Sequence, residues 1–233
     1  MENLDFLNDP AVYKKMEELK AMEIASDALI SYARRHSEAA HKLAKKEKNR
    51  ERRKELEKIA SICSHVPAHA PRDFWEALQY YWFVHLGVII ELNPWDAFNP
   101  GRLDQHLYPF YEKGLREGTL TKEKAKELLQ AFWIKFNNQP APPKVGITAE
   151  ESNTYNDFAL INIGGVKADG SDAVNELSYL ILDVVEEMRL IQPGSMVQIS
   201  KKTPDRFLKR ALEIIKTGFG QPSVFNTDEI ILE

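Results

Sequence analysis

The last third of the 233-residue chain alternates between strand and helix patterns, and this alternation constrains the fold more than any other feature. Apolar runs of strand length occur at 158–163, 196–199 and 223–226. The segments between them, 174–188 and 203–218, carry apolar residues at helical spacing. Strands that alternate with helices are typical of a parallel sheet or barrel. We therefore predict an α/β fold.

The part that precedes these strands is predicted to be helical. Residues 9–66 show helical spacing, with Asp9 and Pro10 as the start signal. Residues 71–92 are apolar nearly all round, which is typical of a buried helix. Two further helices are expected at 103–115 and 121–138. The chain then reads as a mainly helical part, 1–138, that leads into the first βα units, 139–233.

Composition excludes several classes of protein. The 31 basic and 35 acidic residues leave a net charge of -4, which gives no reason to expect a nucleic-acid partner. The basic run 42–58 has no interleaved aromatic residue, so a solvated helical hairpin is favoured over a nucleic-acid surface for this segment. No apolar run reaches the ~20 residues of a membrane helix. One cysteine cannot form a disulfide framework, and the first residues lack a secretory pattern. A cytoplasmic protein is expected.

Several reactive residue types occur without a catalytic or metal-binding pattern. The six histidines show no recognised metal-ligand spacing, so no metal site is expected. His85 lies in an apolar helix and Cys63 beside Ile and Ala, which indicates buried structural roles for both. The glycine pair 164–165 lacks the Gly-Lys-Ser/Thr of a P-loop and is interpreted as a strand-to-helix turn.

The unusual feature is a set of polar residues within aromatic and proline-rich loops. One group runs from Glu91 to Asp104 and includes Asp96 and Arg102, and a second occupies 152–157 immediately before the first strand. Such loops can form a pocket for a polar small molecule. The polar side chains of these loops can equally form hydrogen bonds and ion pairs with one another, for instance between Arg102 and either Asp96 or Asp104. The residues themselves leave both interpretations open.

Three stretches resemble the pyruvate formate-lyase-like domain of glycyl radical enzymes. They are RDFWEALQYYWFVHLGVIIELNPWDAFNPGRLDQHLYPFY at 72–111, FWIKFNNQPAPPKVG at 132–146, and the segment 170–228, in which SMVQISKK is the most specific piece. The resemblance extends over essentially the whole chain. Within the family it is greatest to the branch that dehydrates hydroxyproline.

The resemblance implies part of a ten-stranded α/β barrel around a water-excluding cavity. The family uses a glycyl radical, installed by an S-adenosylmethionine and iron-sulfur activase, to generate a thiyl that abstracts hydrogen from a small-molecule substrate. By similarity, Asp96, Ser152 and Phe158 match substrate-binding positions: Asp96 for the ring ammonium or hydroxyl, Ser152 for the carboxylate, and Phe158 for the ring face. The complete enzyme is expected to be a homodimer without nucleic-acid or membrane partners.

Two family motifs are absent from these 233 residues. Neither the Gly-Cys-Val-Glu loop of the thiyl cysteine nor the Arg-Val-Ala-Gly-Tyr loop of the radical glycine occurs, and Cys63 does not match the thiyl position. We therefore expect a partial domain that holds no catalytic residue and is inactive without the remainder of the enzyme. Pyruvate formate-lyase, glycerol or diol dehydratase, and arylacetate decarboxylase or arylsuccinate synthase are alternative activities. A non-catalytic remnant or interaction module is the alternative from another class.

Overall fold

The computed structural model describes residues 4–91, 98–138 and 159–230. The chain divides into two compact units, Met1–Pro71 and Arg72–Glu233.

The first unit is a helical hairpin. Helix α1 (Val12–Lys46) packs on α2 (Arg50–His65), and Asn49 begins the second helix by accepting hydrogen bonds at its Oδ1 from the backbone N–H groups of Glu51 and Arg52, at 2.9 and 3.1 Å. Small residues let the two helices approach closely, and the Ser37 hydroxyl donates to the Ala60 carbonyl at 2.7 Å. The hairpin predicted for the basic run is confirmed.

The start of α1 differs from the prediction. Ala11, not Asp9, occupies the N-cap position, and the Asp9 side chain instead accepts from the Ala11 N–H at 2.9 Å in the turn before the helix. The apolar residues at helical spacing on the first half of α1 are largely exposed; Met22 and Ile24 keep 65% and 70% of their surface accessible. The spacing therefore predicted the helix correctly, although this stripe does not contribute to a core.

The second unit contains five longer helices around a four-stranded sheet. Its elements in chain order are α3 (Phe74–Glu91), β1 (Gly101–Arg102), α4 (Leu103–Arg116), α5 (Lys122–Asn138), β2 (Leu160–Gly164), α6 (Glu176–Met188), β3 (Gly194–Ile199), α7 (Asp205–Lys216), β4 (Ser223–Asn226) and the single turn α8 (Thr227–Ile230). The predicted helices and all three predicted strands are present. β1 lies at the end of the segment predicted to be a loop.

The sheet is entirely parallel, as the alternation predicted. Its strand order is β1-β2-β3-β4, and Arg102 pairs with Asn162, which in turn pairs with Met196. Each crossover between adjacent strands passes through a helix, as parallel pairing requires.

One face of the sheet packs against the helices. Ile161, Ile163 and Val197 are at most 1% exposed and belong to the same hydrophobic core as Phe207 of α7 and Leu177 of α6. Side chains alternate across a strand, so the residues between them lie on the opposite face. Helix α3 contributes Trp82, which contacts Phe132 and Phe136 of α5 edge to face. No helix of the described residues is long and apolar enough to cross a membrane.

Candidate functional site

The three residues predicted to bind substrate lie outside the described ranges. Asp96 falls between α3 and β1, and Ser152 and Phe158 fall between α5 and β2. The described residues nevertheless show where these two segments join the sheet. Asn99, just before β1, accepts a hydrogen bond at its Oδ1 from the Leu160 N–H at the start of β2, at 2.7 Å. Both segments therefore enter neighbouring strands at the same end of the sheet.

That end is the amino end of the strands. In open α/β sheets, ligands more often bind beyond the carboxyl ends. Here a compact turn occupies the carboxyl end of β2, where Gly164 and Gly165 have φ values of +77° and +78°. A Cβ on Gly164 would lie 2.8 Å from the Gln198 carbonyl oxygen and 2.9 Å from the Phe207 ring. The turn interpretation of this glycine pair is confirmed.

A buried carboxyl group holds this turn to two helices. Asp104, in the first turn of α4, is fully buried, and its Oδ2 accepts from the Gly164 N–H at 2.8 Å and the Ser178 hydroxyl at 2.5 Å. Ser178 also completes the capping box of α6 with Asn175. Burial raises the pKa of Asp104, against the opposing effect of the hydrogen bonds from Ser178 and Gly164. The group joins α4, β2 and α6.

Arg102 holds the same turn from the adjacent strand. Its Nη2 donates to the carbonyls of Gly164, at 3.3 Å, and Val166. The anticipated pairing of Asp104 with Arg102 is not formed among the described residues, since each side chain is bound to other groups. The partners of these two residues are backbone groups and the Ser178 hydroxyl, while the Asp104 Oδ1 and the Arg102 Nε have no hydrogen-bond partner among the described residues.

The sheet face opposite the helices carries polar groups with unused hydrogen-bonding capacity. We call Arg102, Asn162, Met196 and Gln198 the polar sheet face, since they occupy adjoining positions on β1, β2 and β3. In the part of the chain that the structure describes, the Asn162 Oδ1 and the Arg102 Nε are buried without a hydrogen-bond partner. The available sequence signal was a polar residue within each apolar strand, in LINIG and GSMVQI.

The predicted structural roles of Cys63 and His85 agree with their environments. Cys63 is 4% exposed within the first unit. His85 is fully buried on α3, where its Nδ1 lies 3.1 Å from the Tyr81 hydroxyl and its ring contacts Trp82 and Phe136. Within the described ranges, no group of three or more His, Cys, Asp or Glu residues could hold a metal ion.

A groove of about 750 Å³ lies on the helical side of the second unit. Tyr111, Tyr179 and several charged residues of α5, α6 and α7 line it. Its arginines already have partners: Arg206 donates to the Tyr179 hydroxyl at 2.8 Å, and Arg210 pairs with Asp183 and Glu186. Neither arginine of this groove is left without a partner.

The family model described as pyruvate formate lyase-like matches residues 1–233. The chain belongs to this family. It is 57% identical, over all 233 residues, to the trans-4-hydroxy-L-proline dehydratase of Clostridioides difficile, of which it covers 30%. The crystal structure of the hydroxyproline dehydratase from that organism, with trans-4-hydroxy-L-proline bound, superposes on 99% of the chain with a TM-score of 0.93. The chain covers 29% of that structure.

A second structural relative was solved with a different small molecule bound. The glycerol-bound, B12-independent glycerol dehydratase from Clostridium butyricum matches 99% of the chain with a TM-score of 0.87 at 34% identity, over 28% of its own length. The pyruvate formate-lyase-like chain thus spans about 30% of the relatives it matches. The predicted fold class is confirmed: helices and a parallel sheet that correspond to part of a glycyl radical enzyme barrel.

Proposed function

We propose that this chain is part of a glycyl radical dehydratase that acts on trans-4-hydroxy-L-proline. The observation that carries the proposal is the 57% identity to such a dehydratase across the whole chain, compared with 34% to the glycerol dehydratase. The remainder of the enzyme, with its glycyl radical installed by an activase, would supply the hydrogen-atom abstraction. This chain would bind and orient the substrate and would be inactive alone.

Three residues carry the proposed binding role. The Asp96 carboxylate would pair with the ring ammonium or accept from the hydroxyl, and the Ser152 hydroxyl would donate to the substrate carboxylate. Phe158 would pack on the pyrrolidine ring. The hydrogen bond between Asn99 and Leu160 supports a common site, because it fixes the entry of both segments at one end of β1 and β2.

Removal of the Asp96 carboxylate is the direct test of this function. In the full-length protein, activated anaerobically with its activase, Asp96→Ala should abolish the loss of trans-4-hydroxy-L-proline, because the substrate ammonium or hydroxyl loses its partner. Asp27→Ala, an exposed position on α1, is the matched control and should retain wild-type turnover. An Asp96→Ala enzyme with wild-type activity would remove Asp96 from the site.

The alternative activities are tested in the same assay. Glycerol, offered to the activated wild type in place of hydroxyproline, should not be consumed; preferential consumption of glycerol would replace the proposed substrate. A non-catalytic module is addressed by the reading frame beyond codon 233. We expect it to encode the Gly-Cys-Val-Glu loop, and an open frame without that loop would count against an enzyme.

A further inference from the structure

Asn162 and Arg102 hold unused hydrogen-bonding atoms side by side on the polar sheet face. Their Cα positions are paired across β1 and β2. The Asn162 Oδ1 is an acceptor and the Arg102 Nε–H is a donor, and both are buried without a partner among the described residues. Arg102 uses its Nη2 for the turn after β2, and its Nε–H is a second, buried donor that has no partner among the described residues.

A buried polar atom without a partner lowers the stability of the folded protein, because its hydrogen bonds to water are lost and are not replaced. Buried polar groups in native proteins are therefore almost always hydrogen-bonded, and exceptions need an explanation. Here an acceptor and a donor are left unpaired on adjoining strands, on the face that does not belong to the hydrophobic core. A small polar molecule bound against this face would satisfy both.

The carboxyl end of the same face adds a third unpaired group. The Thr227 hydroxyl is buried without a partner among the described residues, and Thr227 is 4% exposed. A Cβ on Gly165 would lie 2.9 Å from the Gln198 Oε1 and 3.2 Å from the Thr227 Oγ1. Gly165 therefore packs closely against the Gln198 amide and the Thr227 hydroxyl, and a larger residue at this position would clash with both.

We propose that the polar sheet face forms one wall of the substrate cavity, with Asn162 as a specificity-determining residue. The Asn162 Oδ1 accepts a hydrogen bond from a hydroxyl or ammonium group of the ligand, and the Arg102 Nε–H faces its carboxylate. The ligand class is a small hydroxylated amino acid. This inference rests on the proposed function for the identity of the ligand, but neither residue is among the three substrate-binding residues that the family resemblance implies.

Asn162→Leu in the full-length protein tests the inference, since leucine has nearly the same shape and lacks the acceptor. Loss of a hydrogen bond to a charged or polar ligand group should raise the KM for trans-4-hydroxy-L-proline roughly 10- to 100-fold, with a much smaller change in kcat. The melting temperature of the unliganded protein should stay level or rise, because an unpaired buried atom is removed. A merely structural role for Asn162 would lower the melting temperature and leave the KM unchanged.

Ser195→Ala is the matched control. The Ser195 hydroxyl is also buried without a partner among the described residues, but its register position with Ile161 places it on the face that packs against the helices. Its KM should equal that of the wild type. A KM within twofold of wild type for Asn162→Leu, or the same increase in Ser195→Ala, would overturn the inference. Asn162→Ala is judged by the same criterion if the leucine variant does not fold.

A binding measurement separates this inference from the proposed function. The protein without its radical is titrated with trans-4-hydroxy-L-proline, L-proline and glycerol, and the melting temperature is recorded. If the activated wild type does not dehydrate hydroxyproline, the function fails, yet the inference holds if Asn162→Leu loses the stabilisation that any of the three ligands gives the wild type. Equal stabilisation of variant and wild type overturns the inference, as does a wild type that none of the three stabilises.

Discussion

The two faces of strands β2 and β3 differ in their side chains: the helix-packed face is apolar apart from Ser195, and the opposite face carries the amides of Asn162 and Gln198. On one face, Ile161, Ile163 and Val197 are buried among helix side chains. On the other, Asn162 keeps a buried acceptor without a partner among the described residues. The same five- and six-residue strands therefore supply core packing on one side and unused polar capacity on the other.

This difference separates stability from function within a single sheet. Apolar burial on the helix-packed face contributes free energy in proportion to the area removed from water. An unpaired amide on the polar sheet face contributes none and carries a cost until a ligand or another group meets it. Substitutions on the helix-packed face should consequently change the free energy of unfolding. Substitutions on the polar sheet face should change the KM.

Truncation of Phe207 should give the largest loss of stability. Phe207 of α7 is fully buried against the helix-packed face, and its ring lies 5.6 Å from that of Tyr179. Phe207→Ala should lower the free energy of unfolding by about 3–5 kcal/mol, because it removes apolar contacts and leaves a cavity. Urea denaturation measures the loss.

Met196→Ala is the counterpart on the polar sheet face. Met196 is partly exposed and lies outside the core, so its truncation should cost a small part of the Phe207 value. Equal losses for the two variants would contradict the division of the sheet into a structural and a functional face.

The sequence predicted the elements of this sheet well where they are long or bounded by clear signals. β4 was expected at 223–226 and is found there, because proline, glycine and asparagine mark its ends. β1 was missed. Its two residues, Gly101 and Arg102, are too few to show any periodicity, and only pairing with β2 makes them a strand.

The site was less predictable because it depends on contacts distant in sequence. Asp104 and Ser178 are 74 positions apart, and an acidic residue in a first helical turn is usually explained by the helix dipole alone. Asn162 is one polar residue in an apolar run. Its significance arises from the register that places it beside Arg102. The roles of Asp96, Ser152 and Phe158 came from the family resemblance and stay predictions.

A methyl group at Gly164 should produce the next largest effect. This glycine ends β2 at φ +77°, and its added Cβ would lie 2.9 Å from the Phe207 ring on the helix-packed side. Overpacking costs about 1–3 kcal/mol, and the left-handed conformation adds roughly 1–2 kcal/mol for alanine. Gly164→Ala should therefore lower the free energy of unfolding by about 2–5 kcal/mol.

Gly118→Ala isolates the conformational part of that loss. Gly118 has φ +68° and no atom within 4 Å of its added Cβ, so only the left-handed strain of roughly 1–2 kcal/mol should appear. The difference between the two variants in urea denaturation measures the steric contact. No difference would mean that β2 can move away from Phe207, and that the helix-packed face is less rigid than its burial implies.

The smallest effect, and the most specific, should be a pH dependence from Asp104. Burial raises its pKa in the folded protein above the usual 3.8. A raised pKa means that the folded state holds the proton more tightly than the unfolded state. The contribution to stability is complete below the unfolded pKa and is lost as the pH rises through the folded value. Asp104→Asn keeps an acceptor for Gly164 and Ser178 but cannot ionise.

The measured quantity is the free energy of unfolding of the wild type minus that of Asp104→Asn, from urea denaturation between pH 4 and pH 8. It should fall as the pH rises and then level off. Asp169→Asn is the control: Asp169 is exposed, and its hydrogen bonds with Ser171 lower its pKa, so its difference should rise slightly just above about pH 4 and stay flat from about pH 5. A difference for Asp104 that grows with pH would show a carboxylate stabilised in its charged form. The junction of α4, β2 and α6 would then be held by a carboxylate that the hydrogen bonds from Gly164 and Ser178 stabilise more than burial destabilises it.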